Sequence, residues 1–241
     1  NINKPTSGEN RCHNLFTGFV IDDKFMKSLA TDRDNKTFFK DIIKTRIEKG
    51  FPYLTWYDNF NKTVPKWWNT DITIKSSNLC TEIFLPLDSE HSFVCCLSSL
   101  NIFKYDEWKD TETVFLATLF LDAVMSEFLI FSKDIKELAT AYNFALKSRA
   151  LGLGSLGLAS YFQKKMIAYD ELTAQLISRK IYSQIRDQAD FASRFMGQHL
   201  GVPEWCKGST RRNLTTTALA PNQASAELAG GISQGSYPTI G

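Results

Sequence analysis

The chain has little histidine, three residues in 241, and no Cys-x-x-Cys pair or matched histidine spacing. A zinc site built from Cys12, His13 and the other thiols is therefore not expected, and no metal ligand is assigned. It also lacks a disulfide framework. Its five cysteines, Cys12, Cys80, Cys95, Cys96 and Cys206, are odd in number and irregular in spacing. That argues against a secreted scaffold and for a reducing, cytoplasmic compartment. No signal-peptide pattern opens the sequence. Low-complexity tracts and blocks of like charge are missing too, and the net charge of +2 comes from scattered Lys and Arg. Such a balance gives no reason to expect a nucleic-acid or membrane partner. The longest apolar stretch, Val114 to Phe131, is interrupted by Asp122 and Glu127 and contains Thr118 and Ser126. It reads as a buried helix rather than a membrane span.

What is present is the composition of a folded domain, 43% hydrophobic and 22% charged over 241 residues, so a single large α/β unit is expected. Residues 1–35 read as loop around one short helix near Lys24 to Leu29. From Lys36 the apolar residues Phe38, Phe39, Ile42, Ile43 and Ile47 recur at helical spacing up to Lys49, and Gly50 supplies a left-handed stop. Phe51 to Tyr57 reads as a buried strand ended by Asp58-Asn59 turn chemistry. Thr73 to Pro86 and His91 to Leu97 read as further strands, and Thr111 to Phe131 and Lys133 to Arg149 as helices. Glu171 to Leu200 is a long helix with Leu172, Leu176, Ile181, Ile185, Ala189 and Ala192 on one face, ended by Gly201 and Pro203. A β-rich run, Asn213 to Leu219, follows, and then Pro221 sits where a first helical turn accepts proline. Strands alternating with helices give an α/β fold. The first residue is Asn1 rather than methionine, and the last, Gly241, follows Tyr-Pro-Thr-Ile. The expectation is a portion of a longer polypeptide.

Two motifs bear on chemistry. Gly152-Leu153-Gly154-Ser155-Leu156-Gly157 satisfies the G-x-G-x-x-G pattern of dinucleotide cradles, but a helical pattern ending at Arg149 precedes it. The expected structure is a helix-to-helix bend or close helix packing, with no dinucleotide site. In Asn78-Leu79-Cys80-Thr81-Glu82 an amide, a thiol and a carboxylate alternate, and in an extended segment all three point to one side. A thiol can lose a hydrogen atom, a carboxylate can act as a base, and an amide can orient hydroxyls. On spacing alone the same residues also fit an ordinary half-buried strand with its polar side chains in water. Cys12 and Cys206 read as small apolar side chains, and His91 and His199 as surface or core residues.

The seven residues Ser77-Asn78-Leu79-Cys80-Thr81-Glu82-Ile83 resemble the active-site finger loop of class I ribonucleotide reductase large subunits. Cys95-Cys96-Leu97-Ser98-Ser99-Leu100-Asn101 is similar to the family segment carrying one of two reducing cysteines, and the Leu-Ser register points to Cys95, with Cys96 a neighbour. The glycine-rich stretch Arg149 to Ala159, the passage Thr217 to Ser225, Gly235 and Pro238 match the family in order and spacing. The resemblance covers residue 36 to the end. It implies a portion of the ten-stranded α/β barrel as part of one catalytic domain, with residues 1–35 leading in.

The resemblance further implies reduction of ribonucleoside diphosphates. Cys80 would be the thiyl radical that takes the ribose 3′-hydrogen, Glu82 would take the 3′-hydroxyl proton, and Asn78 would hydrogen-bond the ribose hydroxyls. Cys95 would supply a reducing equivalent, its thiol partner having no assigned counterpart. Substrate would lie against Ser77, Asn78, Leu79, Cys80, Thr81 and Glu82, with its phosphates at Pro221, Asn222, Gln223, Ala224 and Ser225. A helix N-terminus attracts anions without Lys or Arg. Asn222, Gln223 and Ala224 depart from the family's hydroxyl-rich pattern there, leaving Ser225 as the hydroxyl. No cofactor is implied within the chain. The radical would come from a diiron-type small subunit and the electrons from an external dithiol, thioredoxin or glutaredoxin, in an oligomer with the remaining segments of the large subunit. The alternatives are a cobalamin-dependent class II reductase and a non-catalytic remnant that binds partner subunits.

Overall fold

A computed structural model describes residues 17–238. Two compact units divide the chain, one built from residues up to Val64 together with Thr73–Pro86, the other from Pro65–Ile72 and Leu87 onward. Expectations for residues 1–16, Cys12 and His13 among them, lie outside the described residues.

In the first unit, β1 (Gly18–Ile21) runs parallel to β2 (Tyr53–Trp56), with Gly18 opposite Tyr53 and Ile21 opposite Trp56. The link between them is helical. Asp22 caps α1 (Asp23–Ser28) by accepting from the Phe25 N–H at 2.7 Å, and Asp32 caps α2 (Arg33–Lys49) by accepting from Asp34 and Asn35. Gly50, at φ 78°, ends α2 as expected, since a left-handed C-cap suits a residue without Cβ. Three expectations are corrected here. β1 stands where a loop is expected, being four residues long with only Ile21 buried. Asp58-Asn59 forms no turn, because Tyr57–Lys62 is a helix, α3. Thr73 to Pro86 is not a strand, and its only bridge pairs Ser77 with Phe84, antiparallel. Asn61 clasps this segment, accepting from the Ile74 N–H at 3.0 Å and donating to the Ile74 carbonyl at 2.9 Å.

The second unit is organised by β3 (Leu97–Asn101) and β4 (Gly152–Leu156), parallel from Leu97 opposite Gly152 to Asn101 opposite Leu156. Between them lie a short turn, α4 (Tyr105–Trp108), α5 (Thr113–Ser132) and α6 (Ala139–Ser148); α7 (Leu158–Lys164), α8 (Leu172–Leu200) and α9 (Gln223–Leu228) follow. The expected strand over His91 to Leu97 begins only at Leu97. The expected helix from Lys133 begins at Ala139, after a 3-10 turn over Lys136–Leu138. The glycine-rich stretch is no helix-to-helix bend but a strand buried along its whole length. Its glycines admit neighbours: a Cβ on Gly152 would strike Leu97 Cδ2, and one on Gly154 would strike the Ala218 carbonyl oxygen. That close approach lets the expected 213–219 run lie on the far edge of β4. There the Leu151 N–H donates to Thr215 O at 3.0 Å and the Leu153 N–H to Thr216 O at 2.9 Å. Because protein atoms fill the glycine notches, the backbone there meets protein rather than a dinucleotide.

The core of this unit collects Ile102, Val114, Leu121, Met125, Leu151, Leu153, Ile181 and Ala189. On α8 the expected face holds from Ile181 through Ala192, but Leu172 and Leu176 are exposed. α5 is long and apolar enough by composition to cross a membrane, yet it is only half-buried. Val114, Thr118, Leu121 and Met125 face inward, and Leu116, Phe120, Val124 and Phe131 face out. On the buried side Asp122 is held by Arg149, through Nε at 2.9 Å and Nη2 at 2.8 Å, by Arg212 Nε at 2.9 Å, and by Asn213 Nδ2 at 2.8 Å. Arg149, at φ 44°, is the left-handed cap of α6. Among the described residues the strands form two parallel pairs and no closed barrel.

Candidate active site

The expected extended strand around Cys80 is a tight turn. The Thr81 N–H donates back to Asn78 O at 3.1 Å, the Asn78 N–H to Ile83 O at 3.2 Å, and Thr81 takes φ 64°. Asn78 organises the loop through its side chain. Its Oδ1 accepts from the Glu82 and Ile83 N–H groups, both at 3.1 Å, and its Nδ2 donates to Glu82 Oε1 at 2.7 Å. Amide and carboxylate, four residues apart, thus meet across the turn instead of standing in line along a strand. Glu82 Oε2 is buried without a hydrogen-bond partner, an uncommon state for a carboxylate oxygen. Ser77 Oγ donates to Asn78 O at 3.0 Å, while Leu79 and Cys80 stand exposed at the tip.

Loss of local water, and then the Glu82 carboxylate, push the Cys80 thiol above its ordinary value of 9.0. Although the side chain counts as exposed, both influences act in the same direction, so the sulfur carries its proton at neutral pH. A hydrogen atom can leave only from S–H, whereas a nucleophilic cysteine would need the opposite shift.

In the second unit the two adjacent cysteines face opposite ways. Cys95 is exposed. Cys96 is buried, donates to Leu121 O at 3.4 Å, and is pushed by burial, then by Asp122, up to about 11. In the segment Pro221 to Ser225 one residue, Asn222, is buried, and its amide is fully committed. Its Nδ2 donates to the carbonyls of Ala220 at 2.7 Å, Gln234 at 3.1 Å and Ser155 at 3.2 Å, and its Oδ1 accepts from Ser99 Oγ at 2.7 Å. Pro221, Gln223, Ala224 and Ser225 are exposed. α9 has only six residues, so it sums fewer peptide dipoles than the expectation of a full helix terminus supposed. Ser99 went unrecognised in the sequence because its partner lies 123 residues away. Among the described residues no group of three His, Cys, Asp or Glu side chains could hold a metal ion.

Parallel strands linked by helices define an α/β fold. Its family follows from comparison with known proteins. The model of the ribonucleotide reductase barrel domain matches residues 33–213, and the chain belongs to that family. It is 37% identical over 199 residues to the ribonucleoside-diphosphate reductase large subunit of Invertebrate iridescent virus 3, covering 82% of this chain and 31% of that protein. It is 33% identical over 204 residues to the vitamin B12-dependent ribonucleoside-diphosphate reductase of Thermoplasma acidophilum, covering 78% and 25%. The class Id ribonucleotide reductase alpha subunit of Actinobacillus ureae superposes with a TM-score of 0.88 at 39% identity, covering 92% of this chain and 43% of that one. The chain thus spans less than half the length of each of these relatives.

Proposed function

We propose that this chain forms the catalytic part of a class I ribonucleotide reductase large subunit, an oxidoreductase that converts ribonucleoside diphosphates to their deoxy forms. The observation that carries this reading is the Asn78 to Ile83 turn, which presents an exposed, protonated thiol beside a carboxylate clasped by an amide. In this reading Cys80 gives up its hydrogen atom along a radical-transfer route and, as a thiyl, takes the ribose 3′-hydrogen. Glu82 accepts the 3′-hydroxyl proton and Asn78 hydrogen-bonds the hydroxyls as the 2′-hydroxyl leaves as water. Cys95 and a second thiol deliver two electrons and end as a disulfide. The 3′-hydrogen returns to the sugar, regenerating the thiyl, and thioredoxin or glutaredoxin restores the dithiol by exchange. The outward-facing Cys95 favours this assignment over its buried neighbour.

Ser77, Leu79 and Thr81 line the sugar side, and the diphosphate lies at Pro221 to Ser225, held by the backbone of Gln223 and Ala224 and by the Ser225 hydroxyl. Asn222 anchors that segment through its side-chain hydrogen bonds. Both compact units belong to one barrel domain in this reading, since the family match runs across their division. The radical comes from a diiron-type small subunit, further large-subunit segments complete the barrel, and the oligomer works in the cytoplasm.

The test is conversion of a ribonucleoside diphosphate by this chain assembled with the rest of its large subunit, a cognate small subunit and a dithiol, comparing wild type with Cys80→Ser. Turnover lost only in the variant supports the reading, and turnover in both removes Cys80 from it. Failure of both, with assembly intact, favours a non-catalytic remnant. The likeness to the B12-dependent enzyme supports a second reading, a corrin-dependent reductase. Turnover that requires adenosylcobalamin and no small subunit would establish it.

A further inference from the structure

Thr81 is the strained residue of the cysteine turn. Its φ of 64° is left-handed, where a β-branched residue is an outlier and glycine the ordinary occupant. The turn leaves it no alternative. Its N–H is tied to Asn78 O at 3.1 Å, and the next two N–H groups, of Glu82 and Ile83, are both held by Asn78 Oδ1 at 3.1 Å. The hydroxyl does not account for threonine here, because Oγ1 is buried without a hydrogen-bond partner. Left-handed strain and an unsatisfied buried oxygen both oppose folding, and the Asn78 hydrogen bonds hold the turn against them. Such outliers persist where the surroundings enforce them, and they cluster at reacting groups.

We infer that Thr81 is a positioning residue. Its branched side chain, locked into left-handed backbone by the Asn78 clasp, removes the conformational freedom a glycine would retain and fixes where the Cys80 sulfur stands relative to Glu82. The inference rests on the proposed function, since only there does the sulfur's placement govern turnover. Leu79 and Cys80 have no comparable restraint at the exposed tip, so the residue after them sets the geometry.

Thr81→Gly and Thr81→Val test it by two measurements. The first is amide hydrogen exchange in the chain itself. The second is kcat and KM for ribonucleoside diphosphate reduction in the fully assembled enzyme. In Thr81→Gly, exchange at Glu82 and Ile83 is expected to quicken while the unfolding temperature does not fall, since glycine relieves the strain and removes the unsatisfied oxygen. Its kcat should fall about tenfold or more, within the roughly hundredfold that a 1 Å misplacement costs. Thr81→Val keeps the branch without the hydroxyl and should recover most of both losses. Exchange in Thr81→Gly like that of wild type, faster exchange with undiminished kcat, or valine as damaging as glycine would each overturn the inference. If Cys80→Ser kept turnover in the same assembly, the proposed function would fail, while the exchange comparison would still decide whether Thr81 holds the turn.

Discussion

Replacing Asp122 by Asn removes one charge from a buried site while nearly preserving its volume. Four donors converge on that carboxylate, two from Arg149 and one each from Arg212 and Asn213, at 2.8 to 2.9 Å. An amide offers one oxygen in place of two and turns its own N–H groups toward guanidinium N–H groups. Arg149, 7% exposed, is then left as an uncompensated buried cation, which costs about 3–5 kcal/mol when one partner of a buried pair is removed. Total stability of a domain is on the order of 5–15 kcal/mol, so the variant should unfold at far lower urea. Urea denaturation followed by circular dichroism at pH 7 measures the change. Asp106→Asn is the control, since that carboxylate pairs with Lys109 at 3.2 Å and Lys165 at 2.7 Å at the surface and should change little. A loss at Asp122 below about 1 kcal/mol, the scale of an exposed pair, would refute the reasoning. The pH dependence supplies a second check. Burial works to raise the Asp122 value, but the hydrogen bonds and charge of Arg149, joined by Arg212, prevail and leave it lowered. Its stabilisation is therefore complete above the unfolded carboxylate value of about 3.9 and disappears as pH falls through the folded one. Asp122→Asn should flatten that acid limb.

Iodoacetamide at pH 8, with peptides read by mass spectrometry, should label Cys80 and Cys95 in the folded chain and spare Cys96 and Cys206, which burial pushes up to about 11 and about 12. Labelling of Cys206 before unfolding would contradict its full burial. Gly154→Ala places a methyl against the Ala218 carbonyl oxygen and should cost about 1–3 kcal/mol by overpacking. An unchanged urea midpoint would mean that the 217–219 segment yields freely.

The helices were legible wherever one face repeats over several turns, as in α2, α5 and the Ile181 to Ala192 stretch of α8, and Gly50 marked a true stop. Strands were harder to read because their determinants are distant. β4 looks like a hinge locally, and its glycines make sense only beside Leu97 and Ala218, 55 and 64 residues away from Gly152 and Gly154. Thr73 to Pro86 alternates like a strand, yet Asn61 and the Asn78 clasp fold it into a turn. The resemblance drew attention to Asn78, Cys80 and Glu82, but the side-chain bond between the first and last depends on the left-handed Thr81. Sequence carries no mark of that conformation in a residue that ordinarily avoids it.

The Cys95-Cys96 pair enters β3 with its parity decided. The register of Leu97 opposite Gly152 is keyed by the Leu97 methyl group lying where a Cβ would otherwise be. A slip of the strand by one position would turn Cys96 to the solvent and bury Cys95. The notch at Gly152 therefore acts as an index pin, and a single missing carbon decides which of two chemically identical sulfurs an external oxidant or reductant can meet.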